Sequence, residues 1–419
     1  MTEPTNQNHI IPIQQDQRIH FLDVLRGIAI LCIFMANIIY FSGLFFFSES
    51  YQDPAFFFQS DIILGFLSFM FIDGKFYSIF SLLFGIGCFI QYHKLKHQNK
   101  PFAPFFGRRM FWLLVFGLIH LIGFWLGDIL TLYAILGFTI IPFINVSGKK
   151  LLILAIILIL LPILNWLIIS YFGINYPDIL HQKSIASWKS YGYPQVEWQG
   201  KFWNDIEFEL TNKNWSDFFK MNLGNSWLRL AMILEEGRIF KVFGIFLIGL
   251  WAGRKILNEN ILQNVKLLKK ITLYSLLLGL PMSGWRAYLV FGGEQSQINS
   301  FLNTLSYALG TVPTALGYAA LIALFFRKKP KVLMWLAPAG KMAFTNYILQ
   351  TVFGIMFFYG IGFGWAGKFG FTMITLIAIG YFLLQVIWST LWLNYFKYGP
   401  LEWLWRQLTY GKFLRIRKS

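Results

Sequence analysis

Apolar runs of about 20 residues, the length that crosses a bilayer as a helix, recur along the whole chain. They fall at 22–42, 74–93, 108–125, 128–146, 150–172, 238–256, 271–291, 300–326, 341–360 and 371–394. A membrane β-barrel would alternate apolar and polar positions. The segment LLILAIILILLPIL at 151–164 does not alternate. The pattern therefore predicts an all-α integral membrane protein of about ten transmembrane helices. The run at 56–73 is apolar but short and ends in Asp73–Gly74. It is expected to lie against, or dip into, the outer face, because an eleventh span would break the charge pattern below.

Composition agrees. Of 419 residues, 56% are hydrophobic, 19% aromatic and 13% charged. A soluble domain carries roughly 25% charged residues. Mean hydropathy is +0.55. These values exclude a disordered chain, a fibrous chain and an ordinary water-soluble enzyme.

The net charge of +17 then sets orientation rather than suggesting nucleic acid, since no basic–aromatic nucleic-acid module is visible. The connections 91–109, 146–150, 253–270 and 326–331 and the tail 397–419 hold 22 of the 36 Lys and Arg. By the positive-inside rule these face the cytoplasm, and both termini with them. Residues 1–20 are polar and show no cleavage signal, so the first span is expected to be an uncleaved anchor. The long connection 173–225 holds five Lys against six Asp or Glu and is placed outside. Three regions follow: a membrane half at 1–172, an extracytoplasmic polar insertion at 173–237, and a second membrane half at 238–419 with a cytoplasmic tail helix. The insertion, with WKSYGYPQVEW at 188–198, is either a small folded cap or an interfacial aromatic belt. No internal repeat of the transporter kind is visible. Cys32 and Cys88 have no metal-ligand spacing and are expected to pack in the core.

Ionisable residues within spans are costly, so each is a candidate. Asp23 and Arg26 are three apart and share a helix face. Asn37 continues that face about 16 Å deeper. Structural pairing at a helix start is the alternative. Arg109 and His120 share a second face, with Arg108 beside them. His120 is followed by HLIGFWLGD, whose Gly123 and Gly127 permit a turn that brings Asp128 back to the imidazole. An acid orienting a histidine is the arrangement of a general base; a satisfied core histidine is the bland alternative. Lys75 follows Asp73–Gly74 and either serves the site or snorkels. Gly85 and Gly87 are expected to allow close helix packing, and Ser78 and Ser81 to bond to backbone carbonyls. Asn346 and Gln350, four apart, either contact substrate or join helices. Glu402 and Arg406 have i,i+4 spacing in a tail expected to be an interfacial helix.

The segments LDVLRGIAILCIFMANI at 22–38, GKFYSIFSLLFGIG at 74–87, RRMFWLLVFGLIHLIGFWLGDILTLYAILG at 108–137, GKMAFTNYILQ at 340–350 and FKYGPLEWLWRQLTYG at 396–411 carry a resemblance. The chain resembles the YeiB-like family of bacterial membrane proteins, a domain of unknown function. More distantly it is similar to a superfamily of transmembrane acyltransferases. That likeness implies a transmembrane-acyltransferase-like bundle in the bacterial cytoplasmic (inner) membrane. It also implies an acyl donor, often acetyl-CoA, taken from the cytoplasm, and a glycan or lipid-linked acceptor on the far side. Arg109 and His120 match an Arg–ten residues–His spacing found there, and Asp23, Arg26 and Gly27 match an Asp-x-x-Arg-Gly start.

The expected function is thus a membrane acyltransferase using acyl-CoA as co-substrate, with no metal and no permanently bound cofactor. His120 is the expected base, Asp128 its orienting acid and Asn37 the oxyanion donor. Asp23, Arg26, Lys75, Arg108, Arg109, Asn346 and Gln350 are the expected binding residues, the arginines holding donor phosphates. The expected partners are membrane lipids, acyl-CoA and the acceptor. The alternatives are a transporter or lipid exporter relaying protons through His120 and Asp128, and a non-catalytic partner of an envelope complex.

Overall fold

A computed structural model describes residues 19–47, 52–198, 201–294 and 296–418. The polar N-terminal stretch, with Arg18, lies outside the described residues. The chain is helical almost throughout. Helix α1 is His20–Ser42 and stops at Gly43, where a left-handed φ of 69° turns the backbone. Helix α2, Ser60–Phe71, has 12 residues. That is about 18 Å of helix, too short to cross a bilayer core of about 30 Å. Helix α2 is thus short on its own, as expected for 56–73, although it and the next helix form one apolar helical stretch, Ser60–His97. A turn through Gly74, at φ 79°, starts α3, Lys75–His97.

Helix α4 is Phe102–Gly123 and α5 is Leu130–Thr139, followed by a 3-10 turn at Ile141–Asn145. The predicted span 128–146 is therefore realised as a ten-residue helix and a turn, because Pro142 lacks the N–H that an α-helix needs. Helix α6, Gly148–Trp166, runs on as a π turn at Leu167–Tyr171. By length and composition, six helical segments among the described residues qualify to cross a membrane. They are His20–Ser42, Ser60–His97, Phe102–Gly123, Gly148–Tyr171, Gln297–Lys328 and Phe371–Tyr395.

The insertion folds. Helix α7, Asp178–Ser190, is followed by a hairpin of β1, Gln195–Trp198, and β2, Lys201–Asn204, in antiparallel register. Then come α8, Ile206–Thr211, and α9, Trp215–Glu235. Trp188, Tyr193 and Met221 form a small core of their own. Trp188 donates its indole N–H to the Met221 carbonyl at 3.2 Å. A hydrogen-bonded chain runs beneath it: Asn204 donates to Ser184 at 2.9 Å and to Asn225 at 3.2 Å, and Asn225 donates to Glu209 at 2.8 Å. The insertion thus has the folded core that the cap alternative requires. The hairpin was not anticipated, and α9 continues past residue 225 into the bundle.

The second half begins with α10, Arg238–Glu259, and α11, Val265–Phe291. Next are α12, Gln297–Lys328, and the short turns α13, Pro330–Leu333, and α14, Ala337–Lys341. Helices α15, Ala343–Phe358, α16, Phe371–Tyr395, and α17, Pro400–Tyr410, complete the chain. The predicted span 341–360 is thus a 16-residue helix. Helices α3 and α10 pack backbone to backbone. A Cβ on Gly85 would collide with the Phe246 carbonyl oxygen, and one on Gly249 with that of Leu82. Gly87, expected to pack likewise, has nothing near it and faces a cavity.

Candidate functional site

A cavity of about 510 Å³ runs through the bundle, lined by parts of α1, α3, α4, α9, α10, α12, α15 and α17. One end is basic. Asp23, Arg26, Arg109, Lys341, Trp405 and Arg406 all line it. Arg26 donates to Asp23 at 2.9 Å, which confirms the predicted pair on α1. Arg109 lies over the Trp405 ring at 3.7 Å, and Trp405 donates its indole N–H to the Arg109 carbonyl at 3.0 Å. Arg108, expected to act with Arg109, points elsewhere. It is exposed, off the cavity, and rests by Gly411. Consecutive residues on a helix are 100° apart, so the two cannot share a face.

The tail helix closes this end. The Glu402 carboxylate accepts from the Phe344 N–H at 2.7 Å, the Thr345 N–H at 3.1 Å and the Thr345 hydroxyl at 2.6 Å. It caps the N-terminus of α15, satisfying donors that a helix start leaves open. Burial nevertheless pushes its carboxyl above the usual range. Despite the i,i+4 spacing, Glu402 thus serves the start of α15, while Arg406 lies over the Tyr398 ring at 4.7 Å.

The middle of the cavity is mostly apolar, with Ile30, Ile33, Leu83, Phe84 and Leu113 in its wall and Asn37 opening onto it. His120 and Asp128 come together as expected: Nδ1 lies 2.9 Å from the carboxylate. Asp128 also accepts from the Leu130 N–H at 3.1 Å and the Thr131 N–H at 2.8 Å. Yet the histidine is 2% exposed and its other nitrogen lies 2.9 Å from the Thr351 hydroxyl. Neither member of the pair is in the cavity wall. His120 packs instead behind Tyr347, with ring centroids 5.2 Å apart, and Tyr347 and Gly127 form the wall in front of it. The pair fastens the α4–α5 turn. Asn346 and Gln350 are likewise off the cavity. Asn346 donates to Ser389 at 3.0 Å and Gln350 to Gln385 at 2.8 Å, so they join α15 to α16.

The other end of the cavity, beneath the cap, is polar, and sequence reasoning missed most of it. Tyr40, Asp73, Tyr77, Glu236, Arg238 and Tyr307 line it. Asp73 is ion-paired with Arg286, and Glu236 with Arg238. The Tyr77 and Tyr307 hydroxyls are 2.8 Å apart. Behind them, fully buried Lys241 donates to the Tyr307 carbonyl at 3.1 Å and sits 3.2 Å from that ring's centroid. Lys75 does not snorkel. It is 1% exposed and donates to the Phe69 carbonyl at 2.8 Å, while Ser78 and Ser81 bond backward to Gly74 and Tyr77 as expected. Arg229 of α9 holds the Asp128 carbonyl at 3.0 Å and 3.2 Å and joins the wall. The overlooked signal was in the sequence: Lys241 and Arg286 lie inside predicted spans, where a charge is rare.

Residues 252–412 match the family described as "Protein of unknown function (DUF418)". Over nearly its whole length the chain is similar to the uncharacterized protein YxaH of Bacillus subtilis (strain 168). The two are 29% identical over 418 residues, 97% of this chain and 98% of YxaH. It is 28% identical over 413 residues to the uncharacterized protein YeiB of Escherichia coli (strain K12), covering 93% of this chain and 95% of YeiB. An uncharacterized 39.9 kDa protein from an amylase 3' region of Bacillus acidopullulyticus is 28% identical over 409 residues, 96% of each chain. No solved structure matches. The resemblance to YeiB-like proteins thus holds along the chain.

Proposed function

We propose that the protein is an acyltransferase of the bacterial cytoplasmic membrane, crossing it about ten times with both termini inside. An acyl-CoA enters at the basic end, and a hydroxyl or amine of an envelope glycan or lipid-linked acceptor meets it from the cap end. The observation that supports this reading is that one cavity is lined by Arg26, Arg109 and Arg406 at one end and by a polar chamber at the other. Arginine is suited to phosphate, which it binds through a planar fork. The apolar middle suits an acyl chain and its thioester. In the transfer, the acceptor gives up a proton, its oxygen or nitrogen attacks the thioester carbonyl, the C–S bond breaks and CoA leaves as the thiol. Asn37 faces the cavity between the two ends and is the donor proposed for the developing oxyanion.

His120 and Asp128 have a different part from the base that the sequence suggested. With both ring nitrogens occupied and the ring behind Tyr347, His120 positions the wall rather than touching the acceptor. The test is acyl-CoA binding by the purified full-length chain in detergent. Wild type should bind, and Arg26→Lys with Arg109→Lys should bind at least tenfold more weakly because the guanidinium fork is lost. Equal binding by wild type and the double variant would remove the donor site. No transfer of labelled acyl groups to envelope lipids or glycans in cells that overproduce the protein would remove the reaction.

A further inference from the structure

We propose that the polar chamber at the cap end is a binding site for a phosphate-bearing anion, recognised by Arg238, Tyr77 and Tyr307 in the cavity wall. Three observations meet there. The first is charge. Four basic side chains lie at or behind the chamber, Arg238 in its wall and Lys75, Lys241 and Arg286 behind it, and the two acids in the wall, Asp73 and Glu236, are each ion-paired with an arginine. Lys75 and Lys241 have only a carbonyl oxygen each, with an aromatic ring added for Lys241. A ring face and a carbonyl suit an ammonium group but do not neutralise it. A charged amine held away from water is costly, and an anion in the chamber would offset that cost.

The second observation is the direction of the helices. Helices α3 and α10 both begin at the chamber, at Lys75 and Arg238, each after a glycine with positive φ. Neither start has a side-chain cap. Two N-terminal dipole ends thus converge on one place, and each favours negative charge. The third is the donor set. In the Tyr77–Tyr307 pair one phenol donates to the other, so one of the two O–H groups is left to face a ligand. Arg238 stands beside them, with its guanidinium 5.5 Å from the Tyr77 ring centroid. Lysines supply field from behind, while hydroxyls and a guanidinium supply hydrogen bonds in front.

The site stands without acyl transfer. Joined to the acyl-transfer reading, on which that step alone rests, it makes the acceptor a phosphate-bearing lipid or lipid-linked molecule. The experiment uses the full-length chain in neutral detergent and three probes: dihexanoyl phosphatidic acid, dihexanoylglycerol and inorganic phosphate. Phosphatidic acid should bind at least tenfold more tightly than the uncharged diacylglycerol. Phosphate binding as well as phosphatidic acid assigns the site to a free anion, and weaker phosphate binding assigns it to a lipid headgroup. The charge-balanced variant Glu236→Gln/Arg238→Gln should lose at least tenfold in phosphatidic acid affinity. Lys241→Met, whose side chain touches no ligand, should lose severalfold and keeps the test open if the double variant does not fold. Equal binding of the anionic and uncharged lipids, or wild-type affinity in Lys241→Met, would overturn the site. Arg109→Lys should leave phosphatidic acid binding unchanged. If the anion binds and acyl-CoA does not, the acyl-transfer reading falls and the chamber remains.

Discussion

The guanidinium carbon of Arg109 lies 3.7 Å from the ring centroid of Trp405, and the same indole donates its N–H to the carbonyl oxygen of Arg109. A residue of the tail thereby fixes both the backbone and the charge of a residue nearly 300 positions earlier. This arrangement makes the tail part of the basic mouth. Trp405→Ala should weaken acyl-CoA binding by roughly tenfold, since a desolvated cation–π contact is worth about 1–2 kcal/mol. Trp405→Phe should lie between. Binding isotherms of the purified variants test this, and unchanged affinity in Trp405→Ala would separate the tail from the mouth.

Glu402 tests the docking of the tail in another way. Its carboxylate serves the start of α15, so Glu402→Ala leaves two backbone N–H groups and a hydroxyl without their acceptor. A loss of about 1–2 kcal/mol is expected, as for other lost helix caps. Limited proteolysis after residue 395 should become faster in the variant. Protection equal to wild type would show that the tail is held by other contacts.

Burial raises the Glu209 carboxyl from 4.5 to about 7, with the Asn225 hydrogen bond opposing the rise. The sign follows. Between pH 4.5 and 7 the folded cap holds a proton that the unfolded chain has released, so stability is present below pH 4.5 and declines up to about pH 7. The amplitude is on the order of 3 kcal/mol. Glu209→Gln should flatten this slope and make the cap more stable than wild type at pH 8. Amide hydrogen exchange of α7 and α9 at pH 5 and pH 8 measures it, and an unchanged pH slope in the variant would remove Glu209 as the cause.

His120→Ala removes one hydrogen-bond partner of a buried carboxylate that keeps two backbone N–H donors, a loss of about 1–3 kcal/mol. His120→Asn keeps a donor near the Nδ1 position and should cost less. A positioning role thus predicts that melting temperature and activity fall together, in the order wild type, Asn, Ala. Loss of transfer in both variants at wild-type melting temperature would restore the imidazole as the base.

Sequence patterning located the helices well because a long apolar run leaves the backbone few choices. It also located Asp23–Arg26 and His120–Asp128, since both lie within a few turns of chain and their geometry follows from local spacing. It did not locate the chamber. Asp73 reaches Arg286 across 213 positions, and Tyr77 reaches Tyr307 across 230, and no periodicity encodes those meetings. It placed Arg108 and Arg109 together for a different reason: residue type was read and the 100° between consecutive side chains on a helix was not. The choice for Asn346 and Gln350 was left open because an amide that joins helices and one that holds substrate look identical until the neighbouring helix is known.

The glycine seam between α3 and α10 has an evolutionary consequence. At Gly85 and Gly249 any side chain meets a carbonyl oxygen of the opposing backbone, which has no rotamer by which to retreat. No single compensating exchange elsewhere relieves that collision, so the two positions are closed to drift whatever reaction the protein performs. Invariance there among relatives would report the thickness of a backbone and not the chemistry of a site. At Gly87, two residues along the same helix, a side chain meets open cavity, and a lineage is free to place one there. Divergence at that position should track changes in what the cavity admits.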